Sequence, residues 1–422
     1  MMLDYQTPGV YYLERVQPPE QKLQTGVPVF LGYTTTVPED HQGNKKFNEP
    51  RPLTIWAQFE RYFGKPAVNS YLPYAVRGFF QNGGSLCYVV PLQEDISPSA
   101  ALLAGLEAIE PLYTIDLVCV PDIMRSPKAA PKGASPPPGN WTNDPCAPDI
   151  ERSPTSENLP PELETVLTMQ SAVLEHCNRL GDRFAILDSL PNANAQQVLA
   201  HRERLQERNA ALYYPWIQVQ DDSYLKNVLV PPCGHIAGIY ARTDQNIGVH
   251  KAPANAIVND VLELQVNLTN NQQGPLNIEG INCLRNFPGR GILVWGDRTL
   301  SHDPDWTYIN VRRLFLTIIR WIEWNMLSVV FEPNDATLWN RIGRELSTYF
   351  NELFRQGALK GSTAEEAFYV KCDEQTNPPE LREAGQVVTE IGIAPILPSE
   401  FIVVTIFHGK TGITITGVPK FG

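Results

Sequence analysis

The densest run of chemically capable residues in this chain is VWGDRTLSHDPDW, at 294–306. Asp297, His302, Asp303 and Asp305 are types that can ligate a divalent cation or form a general acid/base pair. The same spacing suits a turn, in which Asp side chains cap free backbone amides ahead of a helix and Arg298 pairs a carboxylate. A catalytic site needs further groups converging from elsewhere, and none stands out, so the turn is the expectation. His176, His201, His235, His250 and His408 are dispersed, with no HExxH or paired spacing. Gly289-Arg290-Gly291 lacks the third glycine of a dinucleotide loop and precedes a strand rather than following one. The expectation is therefore no catalytic residue, no metal ligand and no cofactor. An α/β hydrolase or transferase with its site near Asp297–Asp305 is the alternative from the enzyme class.

The elements around that run are well marked. Apolar runs at 27–35, 86–92, 115–122, 183–190 and 210–219 alternate with helical patterns at 55–62, 73–81, 100–109, 162–178 and 196–209. Runs apolar on both faces and spaced by helices describe a parallel α/β sheet. Pro73 suits the first helical position and Asn82-Gly83-Gly84 supplies a C-cap. The reading gives an α/β domain over 26–234. From 235 the texture changes: a short helix at 235–243, a turn-rich connector GVHKAPAN at 248–255, a strand ILVWG at 292–296, then two long amphipathic helices. The first carries Val311, Leu314, Phe315, Ile318, Ile322 and Met326 on one stripe. The second opens after Asn334-Asp335, closes at Gly357 and carries Leu338, Ile342, Leu346, Tyr349 and Leu353. With a strand at 367–373 and the late region 387–407, these define an α+β domain over 235–407.

Bulk properties narrow the function classes. The 422 residues hold 43% hydrophobic and 19% charged residues, an ordinary globular balance. A net charge of −12 argues against a nucleic-acid groove. The seven cysteines are scattered without a CxxC pair, which fits synthesis in a reducing cytoplasm rather than a disulfide framework. The N-terminus lacks the basic and apolar regions of a secretion signal, and Arg320, Glu323 and Asn325 interrupt the best membrane candidate at 314–331. Between Ser126 and Pro161 prolines crowd among Ser, Gly and Asn, which excludes helix and central strand and predicts a long surface insertion.

Both ends of the chain look extended. Residues 1–25 contain a strand-like piece, Val10 to Val16, with no hairpin partner nearby in sequence. FIVVTIF at 401–407 has high β-propensity and neither charge nor proline, and ITIT at 413–416 extends that character almost to residue 422. Much of 401–407 fits a central strand of the second domain. Two adhesive termini nonetheless suggest assembly by strand addition between chains; pairing of the two termini within one molecule is the alternative. The N-terminal arm, 1–25, would act through Val10, Tyr11, Tyr12 and Leu13. The C-terminal side, with its arm at 408–422, would act through Phe401, Val403, Thr405, Phe407, Ile413 and Ile415.

Several motifs carry a family likeness. TPGVYYLERV (7–16) resembles the opening of contractile phage tail sheath proteins. LPYAVRGFFQNGGSLCYVV (72–90), GVHKAPAN (248–255) and FPGRGILVWGDRTLSHDPDWTYINVRRL (287–314) are similar to segments of the same family. So are VFEPND (330–335), GALKGSTAEEAFYVKCDEQTNP (357–378) and GIAPILPSEFIVVTI (392–406), whereas 126–161 has no counterpart. The resemblance implies six-subunit rings stacked helically around an inner tube, with terminal arms joining a sheet in a neighbouring subunit. It implies an outer α/β domain, a tube-facing α+β domain, and contraction that drives the tube forward without nucleotide. Inner tube, baseplate and terminal cap proteins would be the partners besides the chain itself, with neither nucleic acid nor membrane insertion. A different shell or surface-assembly protein using strand exchange is the alternative within the structural class.

Overall fold

The computed structural model describes residues 23–66, 69–125, 161–221 and 226–400, and the backbone alone of 404–409 and 412–417. The first half alternates strand and helix: β1 (Pro28–Gly32), β2 (Arg51–Leu53), α1 (Trp56–Phe63), α2 (Leu72–Gln81), β3 (Cys87–Pro91), α3 (Pro98–Ala108) and β4 (Leu117–Cys119). Beyond the Pro-rich stretch, most of which lies outside the described residues, come α4 (Leu163–Leu180), β5 (Phe184–Asp188), α5 (Ala195–Glu203), β6 (Ala210–Tyr214), β7 (Ile217–Asp221), β8 (Lys226–Val230) and α6 (Cys233–Asn246). Next are β9 (Ala256–Ile257), β10 (Glu263–Leu264), α7 (Asn270–Ile278), β11 (Ile281–Phe287), β12 (Gly291–Trp295) and α8 (Ile309–Met326). The chain then runs through α9 (Ala336–Arg355), α10 (Ala364–Ala367), β13 (Phe368–Lys371), α11 (Pro379–Glu383), β14 (Glu390–Ile393), β15 (Val404–Gly409) and β16 (Gly412–Gly417).

Among the described residues one nine-stranded sheet has the order β2-β3-β1-β4-β5-β6-β11-β12-β9. Its centre is parallel, with Val29 beside Tyr88, Leu117 beside Phe184 and Ala185 beside Ala210. β1, β4, β5 and β6 are buried throughout, as strands covered on both faces must be. One face packs on residues of α3, α4 and α5, among them Leu102, Val173 and Val198. The other packs on α2, α6 and the start of α8, through Val76, Ile236 and Ile309. α6 lies close against α2: a Cβ on Gly234 would come within 2.2 Å of the Ala75 carbonyl oxygen, so only glycine allows the approach.

The sheet does not stop at residue 234, where the sequence places the edge of the α/β domain. β11 pairs in parallel with β6, Ile281 beside Leu212, and the antiparallel hairpin partner β12 extends the sheet to β9. The change of texture at 235 marks a switch from parallel crossovers to a hairpin, not the end of the sheet. α5 is also shorter than its expected span of 196–209. An Asn194–Gln197 capping box starts it at Ala195, but the chain leaves the helix after Glu203 and bridges Glu207 to Leu300.

A third, smaller core gathers Leu314 and Ile318 of α8 with Leu338, Ile342, Leu346 and Phe350 of α9, beneath β13 and β14. Trp321 stacks on Tyr349 at 3.8 Å across the two helices. Cys87, Cys119, Cys177, Cys233 and Cys283 are buried free thiols, and Cys372 is half-buried. No helix among the described residues is long and apolar enough to cross a membrane.

Candidate assembly site

The 294–306 run forms the expected turn. The Asp303 carboxylate accepts from the Asp305 amide at 3.0 Å, Thr299 Oγ1 donates to the Trp306 carbonyl at 2.6 Å, and a short 3-10 turn leads into α8. Arg298 does pair a carboxylate, and its partner lies 102 residues on: its guanidinium meets Glu400 at 2.6 and 3.0 Å. The backbone of Arg298 also bridges to Tyr308, the residue that begins α8. Asp297, by contrast, is buried with neither carboxylate oxygen well hydrogen-bonded. Burial, and next the charge of Glu400, hold its carboxyl well above the usual carboxylate range. Among the described residues no three His, Cys, Asp or Glu side chains stand close enough to share a metal ion.

The roots of both termini are held in the same neighbourhood. At the N-terminal root, the buried Asp116 carboxylate accepts from the amides of Gly26 at 3.0 Å and Val27 at 2.6 Å. Arg313 of α8 reaches Asp116 at 3.0 Å and Asp244 of α6 at 2.6 Å, an ion cluster with almost no solvent contact. Two acidic groups around one guanidinium satisfy its fork of donors, so removing any member would leave a buried charge unpaired. At the C-terminal root, Asn310 donates to the carbonyls of His250 at 2.7 Å and Ile396 at 3.3 Å.

Two small sheets lie beyond these roots. β13 pairs antiparallel with β14, Tyr369 beside Gly392 and Val370 beside Ile391. Among the described residues this sheet has no further strand. The Ala394 amide donates to the Ala367 carbonyl, so the alternation of an antiparallel ladder turns the amides of Ile391 and Ile393 away from β13, toward an open edge. β15 and β16 form a hairpin, Ile406 opposite Ile415 and Phe407 opposite Thr414, that has no further strand among the described residues. The structure thus corrects the expectation that 401–407 completes the second domain as a central strand: residues 404–407, the described part, pair with 414–417. Of the expected assembly residues, Thr405, Phe407, Ile413 and Ile415 fall in that hairpin, while Phe401 and Val403 lie outside the described residues, as do Val10, Tyr11, Tyr12 and Leu13. The register sets Thr405 and Phe407 opposite Thr416 and Thr414, out of step with Ile413 and Ile415. The open edges of β13 and β14 escaped the sequence reading. AFYVKCD is legible as a strand, but nothing in it says that only one partner is available.

Among the described residues, two small sheets with unpaired edges accompany a large nine-stranded α/β sheet. Comparison with known proteins gives the family. Residues 160–300 match the phage tail sheath protein central domain and 301–408 the phage tail sheath C-terminal domain, together more than half of the chain. The chain belongs to the phage tail sheath family. The tail sheath protein of Salmonella phage ViI is 28% identical over 204 residues, which cover 47% of this chain and 31% of that protein, so the chain matches under a third of that relative's length. The helical sheath of the anti-feeding prophage in its contracted state is 29% identical, with a TM-score of 0.70 over 95% of this chain and 99% of that one. The contracted sheath complex of the extracellular contractile injection system PVC is 25% identical, with a TM-score of 0.68 over 97% and 99%.

Proposed function

We propose that this chain is the sheath subunit of a contractile, phage-tail-like injection system and does mechanical rather than catalytic work. Subunits assemble as stacked rings of six around an inner tube, bounded by a baseplate and a terminal cap, and contraction drives the tube into a target envelope. The observation that carries this reading is the pair of two-stranded sheets at 368–417. An isolated two-stranded ladder is marginal in water, and unpaired strand edges invite strands from other chains. Residues 1–25 and 408–422 are the segments proposed to complete such sheets between subunits. The body carrying the nine-stranded sheet would face outward and the α8–α9 unit with β13 and β14 would face the tube. Contraction then re-docks rigid bodies while the strand links persist, and the driving energy is the larger body-to-body contact of the contracted state. No nucleotide is needed if the extended form is a kinetic trap.

The test is truncation. Deleting residues 1–16, or ending the chain at Pro398, should abolish sheaths in electron micrographs while circular dichroism and melting temperature stay near those of the full chain. Contractile sheaths from either truncation would defeat the strand-link mechanism.

A further inference from the structure

The roots of the two terminal segments lie far apart in sequence, yet both are held by one helix. The N-terminal root, 24–27, meets α8 through Arg320, which donates to the carbonyls of Gln24 at 3.4 Å and Tyr113 at 2.9 Å. It meets α8 a second time through Asp116, which binds the Gly26 and Val27 amides and is itself held by Arg313. The C-terminal root, 396–400, meets the other end of the same helix. Asn310 donates to the Ile396 carbonyl, and Glu400 is clamped by Arg298, whose backbone bridges to Tyr308 at the helix start. Asn310 and Arg320 stand about 15 Å apart along the axis, at about 1.5 Å of rise per residue.

From this we infer that α8 is a tension strut: Asn310 and Arg320, with Arg313 and Arg298 behind them, are positioning residues that carry a pull on one terminal segment directly to the other. The inference rests on the reading of those segments as links between subunits. A pull entering at Gln24 and leaving at Glu400 passes through Arg320, the helix and the Tyr308–Arg298 bridge. The root is also tied to the start of the central sheet, since the Val27 carbonyl accepts from the Asp116 and Leu117 amides, so α8 shares the load with the sheet at that end. Arg312, Arg313 and Arg320 are all buried although they sit on a surface-like stretch of sequence. Burying three guanidiniums in one helix is costly unless each is engaged, and here Arg312 binds Asn209, Arg320 binds the Gln24 carbonyl of the root, and Arg313 binds Asp116, which holds the root amides. The side of the helix that apolar packing does not occupy is therefore given to gripping the chain ends. In an assembly tied through its termini, α8 would then take part of the pull that would otherwise fall on the strands of the outer body.

The strut is tested on single chains, which need no assembly. The full-length protein, held by handles at its two ends in optical tweezers, is kept at constant force and the first release of the body is timed. Glu400→Gln and Arg320→Gln should each speed release about tenfold, the factor that about 1.4 kcal/mol of lost contact gives, and Arg320→Lys should restore part of it. Val173→Ala, a core substitution in α4 on the far face of the sheet, should lower the melting temperature without speeding release. Equal acceleration by Val173→Ala, or unchanged release in Glu400→Gln and Arg320→Gln, would overturn the strut. Absence of sheaths in the full-length protein would count against the assembly reading alone and leave these release times to decide the strut.

Discussion

The central sheet and the 368–417 region treat apolar surface and backbone hydrogen bonds in opposite ways. β1, β4, β5 and β6 are buried along their whole length, have strands on both sides and helices on both faces. β13 contains no fully buried residue, has a strand on one side only among the described residues, and Tyr369 in it is 52% exposed. Near it, Leu327, Val330 and Phe331 after α8 are also well exposed. The first region is finished within one chain. Among the described residues the second leaves strand edges unpaired, and on the proposed function these are completed by neighbouring subunits.

The sharpest way to break this contrast is at an open edge. Ile391→Pro removes an amide that faces away from β13, so it should cost the ladder within the chain little. Assembly should be lost entirely by electron microscopy and sedimentation, with the melting temperature of the body within a few degrees of wild type. Normal sheaths would mean that the β14 edge is not a docking edge.

A smaller effect sharpens the other side. Asp188 ends β5, is fully buried and caps α6 through the Cys233 amide at 2.9 Å. Burial pushes its carboxyl up to about 7, against about 3.9 in an unfolded chain. Its contribution to stability is therefore full below about pH 4 and is lost as pH rises to 7, a span of roughly 4 kcal/mol at about 1.4 kcal/mol per unit. His176, His201 and His235, lowered by burial to about 4, 4 and 3, act in the opposite sense, losing stability as pH falls from about 6.5. Asp188→Asn should flatten the fall between pH 4 and 7 in denaturant titrations while assembly persists. An unchanged profile would show that Asp188 ionises normally.

The smallest effect is expected outside both regions. Replacing 126–161 by a short Gly/Ser linker should leave sheath length and melting temperature unaltered, since a long surface loop is removed at modest entropic cost. Loss of tubes from a soluble variant would make that stretch part of a contact surface.

Much of the body was legible in the chain because its signals are local. Continuous apolar runs gave β1, β3, β4, β5 and β6, and the stripe through Leu314 and Ile318 gave the buried face of α8. The register of Leu338, Ile342 and Leu346 gave that of α9. What escaped depends on distant partners. Nothing in the sequence says what Arg313 meets, and it is buried because Asp116 supplies a carboxylate from 197 residues away. The strand at 292–296 reads as part of a second domain beginning at 235, although β11, which the sequence reading did not mark, pairs with β6 and returns both to the first sheet. Residues 401–407 read as a core strand because composition cannot tell a strand with two neighbours from one with a single neighbour.

The buried thiols carry a consequence for durability. Cys87, Cys177, Cys233 and Cys283 sit in apolar surroundings that raise their pKa, to about 12 for Cys283. Thiolate, the species that oxidants and disulfides attack, is then scarce at neutral pH. A body built this way keeps its chemistry unchanged in air and in oxidising medium without any cross-link to protect it, and among its described cysteines only the half-buried Cys372 offers an oxidant a foothold.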